Sequence, residues 1–214
     1  MIKSAICNPE YFKILDDNTN NIYYGCNQEW YSKPWQRLSG CGPSVASNII
    51  LYLKHNKDDF VSEEWYNSKK DCILLMGEVW KYVTPTLRGV NSTKIFYKGI
   101  VDFAKSKGLN GQYKFIDLPK EKFSRPKFME FLSFIDTSLQ MDCPVAFLNL
   151  CNGDEKYLDK WHWVTIISLE YEEDGICAWV DILDEGIIKK IDLALWYNTT
   201  TLGGGFVNFT VSMS

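Results

Sequence analysis

The sequence predicts an α+β fold in which an N-terminal helical half packs on a C-terminal antiparallel sheet. Three observations lead there. Up to about residue 140 the apolar residues recur mostly at three- and four-residue spacing. From Pro144 onward they fall in short alternating or continuous apolar runs bounded by turn residues. A glycine-flanked cysteine, Gly40-Cys41-Gly42-Pro43, opens the first helix.

That helix is signalled by Val45, Ala46, Ile49, Ile50 and Leu53, an apolar face over about three turns. Pro43 suits its first turn, where a fixed φ helps and a missing N–H costs nothing. Cys41 therefore lies at or just outside the helix N-terminus, where unpaired N–H groups and the helix dipole favour an anion such as a thiolate. Gly40 and Gly42 remove Cβ bulk on either side, so that a carbonyl and its developing oxyanion can approach the backbone. A cysteine nucleophile needs a base within reach. The chain has only two histidines, His55 and His162. His55 follows along the same helix, roughly 20 Å away at about 1.5 Å per residue, which leaves His162. The bland alternative is that Cys41 caps a core helix and His162 is a satisfied core histidine beside Trp161 and Trp163.

In chain order, residues 1 to 38 read as an irregular, aromatic-rich lead-in, with turn signals at Asn8-Pro9, Asp16-Asp17-Asn18 and Gly25 and a β-like piece at Asn21–Tyr24. Gln36, just ahead of Cys41, is a candidate for donating its side-chain amide to an oxyanion, with Gln28 second in line. After the Cys41 helix, Asp58–Val61 ends the first unit and Ser62 can cap a helix through Glu63, Glu64 and Trp65. Ile73–Met76 with Val79 and Trp80 fits helix or loop. Asn91 or Ser92 starts a helix with the stripe Phe96, Ile100, Val101, Phe103 and Ala104, which ends at Gly108. Gln112–Asp117 alternates as a short strand. Pro126 opens another helix with Phe128, Phe131, Leu132, Ile135 and Leu139 buried.

The strand-like runs are Val145–Leu150, His162–Leu169, Ile176–Asp181, Ile187–Ile191 and Phe206–Val211, in meander order. His162 opens one strand and Asp181 closes the next, and in an antiparallel pair those ends are neighbours. Asp181 could then orient the imidazole and stabilise its charged form, leaving the other ring nitrogen for Cys41. Asp184, also at that strand's exit, competes for the role.

The 214 residues, 46% of them hydrophobic, suit a single domain over 1–214, with a mainly helical part (1–142) and a sheet part (143–214). The net charge of −4, with acidic and basic residues interspersed, gives no footprint for nucleic acid or an anionic membrane. The first residues lack the apolar run of a signal peptide and no stretch approaches a membrane span, so a soluble, cytoplasmic chain is expected. Seven cysteines without a Cys-x-x-Cys pair argue against a disulfide framework and a structural zinc site. No cofactor or metal is expected. The expected partner is a peptide or protein substrate, and oligomeric state is not indicated.

Gly40-Cys41-Gly42-Pro43 ahead of a small-residue helix, Cys143-Pro144-Val145 entering a core strand, His162-Trp163-Val164-Thr165-Ile166, and an aspartate ending the next strand together carry a resemblance. The chain resembles the papain-like cysteine peptidases, and among them the peptidase domains of bacteriocin exporters and their stand-alone relatives, which cut after a double-glycine leader. The resemblance implies a papain-like fold and a metal-free Cys–His–Asp triad. Cys41 would be the nucleophile, His162 the general base and then acid, Asp181 the orienting residue and Gln36 the oxyanion donor. Gln36 stands one residue nearer the cysteine than in that family, and Ile182 follows Asp181 where the family often has proline, which keeps Asp184 open. No exporter membrane domain is expected. The function implied is hydrolysis of a peptide bond through an acyl-enzyme. Acyl transfer to an amine by the same thioester chemistry, or peptide binding without catalysis through aromatics such as Trp30, Tyr31 and Trp35, are the alternatives.

Overall fold

The computed structural model describes residues 1–55, 67–108 and 111–211. The segment Asp58–Val61 and the expected helix after Ser62 lie outside the described residues. Among those described, no helix is long and apolar enough to cross a membrane.

The first 38 residues are more regular than their composition suggests. Strand β1 (Ile2–Ala5) joins the large sheet, while β2 (Lys13–Asp16) and β3 (Asn21–Tyr24) form a hairpin. Its turn closes through Asn20, whose N–H donates to the Asp16 carbonyl at 2.7 Å and whose φ of 57° is one that asparagine tolerates. A short helix α1 (Pro34–Ser39) ends at Gly40, and α2 (Cys41–His55) begins at once.

Helix α2 is buried nearly all round, its polar residues included. Two of those residues, Ser47 and Asn48, are satisfied inside the protein. Ser47 Oγ donates to the Pro43 carbonyl, Asn48 Nδ2 donates to Thr165 Oγ1 at 3.1 Å, and Asn48 Oδ1 accepts from the Cys26 N–H at 2.7 Å. The sequence pattern reads as one apolar face because these buried polar residues interrupt it.

Strand β4 (Asn67–Ser68) adds to β2 in parallel, and Ser68 caps α3 (Lys69–Val79), settling the Ile73–Trp80 segment as mostly helix. Helix α4 (Thr93–Ser106) starts where Ser92 Oγ accepts from the Ile95 N–H, and β5 (Gly111–Leu118) follows. Then come α5 (Phe128–Gln140), β6 (Val145–Asn149), β7 (His162–Tyr171), β8 (Ala178–Asp184) and β9 (Ile187–Asp192). A helix without a predicted counterpart, α6 (Leu193–Thr199), is capped by Asp192 Oδ1 accepting from the Leu195 N–H at 2.8 Å. Strand β10 (Gly204–Val211) completes the order.

The large sheet runs β5-β10-β6-β7-β8-β9, antiparallel throughout, with β1 also paired to β7. Strands β6 to β9 form the expected meander. The sheet also draws β1 and β5 from the first 142 residues, and β10 lies between β5 and β6 rather than at an edge. Helices cover both faces, which explains the continuous apolar run of β6. Val145 and Phe147 pack in the core that holds Phe131, Ile135 and Leu139 of α5. Ala146 and Leu148 pack in the opposite core with Val45 and Ile49 of α2 and Phe96 and Ile100 of α4. The result is α+β, with α2 resting on the strand that starts at His162.

Candidate active site

Cys41 is the first residue of α2 and is 9% exposed. Its two glycine neighbours are required for a different reason from the one the sequence suggests. A Cβ on Gly40 would strike the Gln36 carbonyl and the Tyr31 ring, and a Cβ on Gly42 would meet Val90 Cβ at 2.8 Å. Both glycines let helices and loops close around the cysteine.

His162 is held at the start of β7 by what surrounds it. Its cross-strand partner is Asn149, whose Nδ2 donates to the Asp159 carbonyl at 2.6 Å and ties down the returning loop. The next residue, Trp163, donates from Nε1 to the Val90 carbonyl at 2.5 Å and stacks on Phe96 with centroids 4.3 Å apart. The same Val90 packs against Gly42, so Cys41 and His162 are braced by one contact set.

The carboxylate beside His162 is Asp184, whose Oδ1 lies 2.7 Å from Nε2. That leaves Nδ1 for Cys41. Asp181 is a correction to the sequence expectation. It pairs in register with Ser168 and accepts from Ser168 Oγ at 2.6 Å. Ser168 is six residues along β7 from His162, roughly 20 Å at about 3.3 Å per residue. The strand β8 continues past Asp181 to Asp184. Only then does the two-residue turn of Glu185 and Gly186, both at positive φ, reverse the chain.

Burial alone would lower the basicity of His162, but its hydrogen bonds with Asp184 and Cys41 and the charges of both raise its pKa to about 10. Asp184, 4% exposed, carries a second cation, Lys189, with Nζ 2.7 Å from Oδ2. Burial would raise its pKa, yet the hydrogen bonds and charges of His162 and Lys189 hold it below the usual carboxylate range. One buried carboxylate thus bridges an imidazole and an ammonium.

Beside these groups is a cavity of about 20 Å³, room for one water-sized group, lined in part by Cys41, His162, Asn48 and Gln28. Gln28 Oε1 is buried without a hydrogen-bond partner. Its short 3-10 turn is fixed by Asn27, which caps it by accepting from the Glu29 N–H and donates from Nδ2 to the Glu185 carbonyl at 2.8 Å. Gln36 is half-buried on α1 and is not among the lining residues. The helical turn between Gln36 and Cys41 carries its side chain elsewhere, whereas Gln28 reaches the site across the fold. His55, at the far end of α2, bonds through Nε2 to Asn67 Oδ1 at 3.1 Å.

No family model matches the chain, and no curated protein matches it. Among solved structures it is similar to UfSP from C. elegans at 10% sequence identity, with a TM-score of 0.52. The match covers all of this chain and 35% of that one, so the chain spans about a third of that protein's length. At that identity the likeness speaks to the fold alone, and the fold is papain-like, with mixed helices and an antiparallel sheet.

Proposed function

We propose that the chain is a cysteine peptidase in which Cys41 is the nucleophile, His162 the general acid and base, Asp184 the orienting carboxylate and Gln28 the oxyanion donor. One observation carries the reading. His162 is bonded through Nε2 to a buried carboxylate and lines one small cavity together with Cys41, which sits at a helix N-terminus.

The raised basicity of His162 suits it to hold the proton that Sγ gives up as it attacks. Cys41 Sγ attacks the substrate carbonyl, and the oxygen that becomes negative is met by the Gln28 amide N–H and the positive end of α2. As the C–N bond breaks, His162 gives its Nδ1 proton to the departing amine. The acyl group remains on Sγ as a thioester. His162 then takes a proton from water, whose oxygen attacks the thioester. Sγ departs from the acyl carbon, the carboxylic acid product leaves, and Cys41 and His162 return to their starting state. Asp184 stays ionised throughout, holding Nε2–H and thereby aiming Nδ1 at the sulfur.

The test is turnover of a peptide mixture by wild type, Cys41→Ala and His162→Ala, read by mass spectrometry, with circular dichroism to verify folding. Each substitution should remove tenfold or more of the cleavage, on the order of the contribution of a positioned acid–base group. Folded variants that cleave as well as wild type would refute the assignment.

A further inference from the structure

Cys41 also lines a second and larger opening. A groove of about 400 Å³ runs from it between Trp35, Leu38, Leu87, Arg88 and Trp161. Four of these are large apolar side chains left in water: Leu87 is 94% exposed, Leu38 80%, Trp161 52% and Trp35 47%. They come from three separate segments, so the patch is made by the fold and not by one apolar run. Exposed apolar clusters of this kind mark binding surfaces.

Two backbone features hold this display in place. Leu87 and Arg88 sit at the tip of a tight turn closed by reciprocal bonds, Thr86 N–H to the Gly89 carbonyl and Gly89 N–H to the Thr86 carbonyl, each 3.0 Å. Trp161, immediately before His162, has φ +58°, a left-handed conformation that is strained for a bulky residue. Strain of that kind persists where the surroundings impose it, and here it sets an indole at the mouth of the groove.

Resting on the peptidase reading, we infer that this groove selects an extended peptide with a large apolar side chain, of the leucine or phenylalanine class, close to the scissile carbonyl. The occupant follows from continuity. A groove that shares Cys41 with the small cavity receives whatever chain segment carries the carbonyl that Sγ attacks. Arg88 is the charged member of the lining, so a basic side chain is disfavoured where an apolar one is accepted.

The experiment measures alkylation of Cys41, site by site by mass spectrometry, with N-acyl amino-acid chloromethyl ketones bearing Leu, Phe, Gly or Lys. Each rate constant is divided by that for iodoacetamide on the same protein. In wild type the Leu and Phe ratios should exceed the Gly and Lys ratios about tenfold or more, as expected for burying such a side chain. Leu87→Asp and Trp161→Gly should bring the Leu and Phe ratios down to within about twofold of the Gly ratio. Arg88→Ala should raise the Lys ratio alone. Equal ratios in wild type, or a Leu preference that survives both groove substitutions, would overturn the inference while leaving the peptidase reading in place. Slow iodoacetamide labelling of Cys41 that His162→Ala does not change would instead fell the peptidase reading, and the inference with it.

Discussion

Replacing Asp184 by asparagine keeps the shape of the side chain and removes its charge. In the native protein that charge lies against His162 across a 2.7 Å hydrogen bond at 4% exposure, so solvent screens it little. With charge centres about 4 Å apart and an effective dielectric near 20, the attraction is worth about 4 kcal/mol, or about three pH units of imidazole basicity. Lys189, left without its carboxylate, pushes in the same direction. His162 should therefore fall from about 10 toward about 7 in Asp184→Asn. The assay is the pH profile of kcat/KM for peptide cleavage. The alkaline limb, set by loss of the imidazolium proton, should move down by about three pH units, and the rate at pH 8 should drop about tenfold. Asp181→Asn, which disturbs the bond to Ser168 and not the pair of His162 with Asp184, should leave the limb where it is. An alkaline limb that stays in place in Asp184→Asn and moves in Asp181→Asn would refute this account of the site.

Gln28→Ala should lower kcat by roughly 10²- to 10³-fold with a smaller change in KM, the usual cost of losing an oxyanion donor. Gln36→Ala should leave both near wild type, and steady-state kinetics on the two variants would expose a wrong choice between them. Gly42→Ala should destabilise the fold by about 1–3 kcal/mol through overpacking against Val90, as read by urea denaturation, and Val90→Ala in the same chain should recover part of it. The raised His162 implies a stabilising contribution that is complete below about pH 6.5 and fades as pH rises through about 10. Wild type should therefore lose denaturation midpoint between those limits, and His162→Ala should lose less over the same range.

Much of the site was legible because scarcity did the work. With two histidines in the chain, a helix that puts His55 far from Cys41 leaves little choice, and the long helices and the meander carry strong periodicity. Other features were hidden by the kind of information that fixes them. The choice between Asp181 and Asp184 depends on how far a strand runs before it turns, and Ile182 and Leu183 continue β8 without any local mark distinguishing them from turn residues. Gln36 looked better than Gln28 because it is nearer in sequence, yet nearness along a helix fixes direction as well as distance. The short strand at Ile2–Ala5 alternates only weakly and depends on its partner, Leu169 and its neighbours in β7. The short helix α6 rests on a single Asp192 cap that resembles an ordinary turn residue. The roles of Gly40 and Gly42 could not be read at all without Tyr31 and Val90 beside them.

The inner position of β10 bears on how the protein comes into being. During synthesis the helix that begins at Cys41 emerges early, His162 and Asp184 much later, and the strand that joins β5 to β6 after every other described element. Until then β5 and β6 present open edges to any strand they meet, and the ladder they await spans nearly a hundred residues of chain. A nascent chain thus carries Cys41 for a long interval before His162 and Asp184 follow. Cys41, His162 and Asp184 are thus all made before the strand that closes the sheet around them.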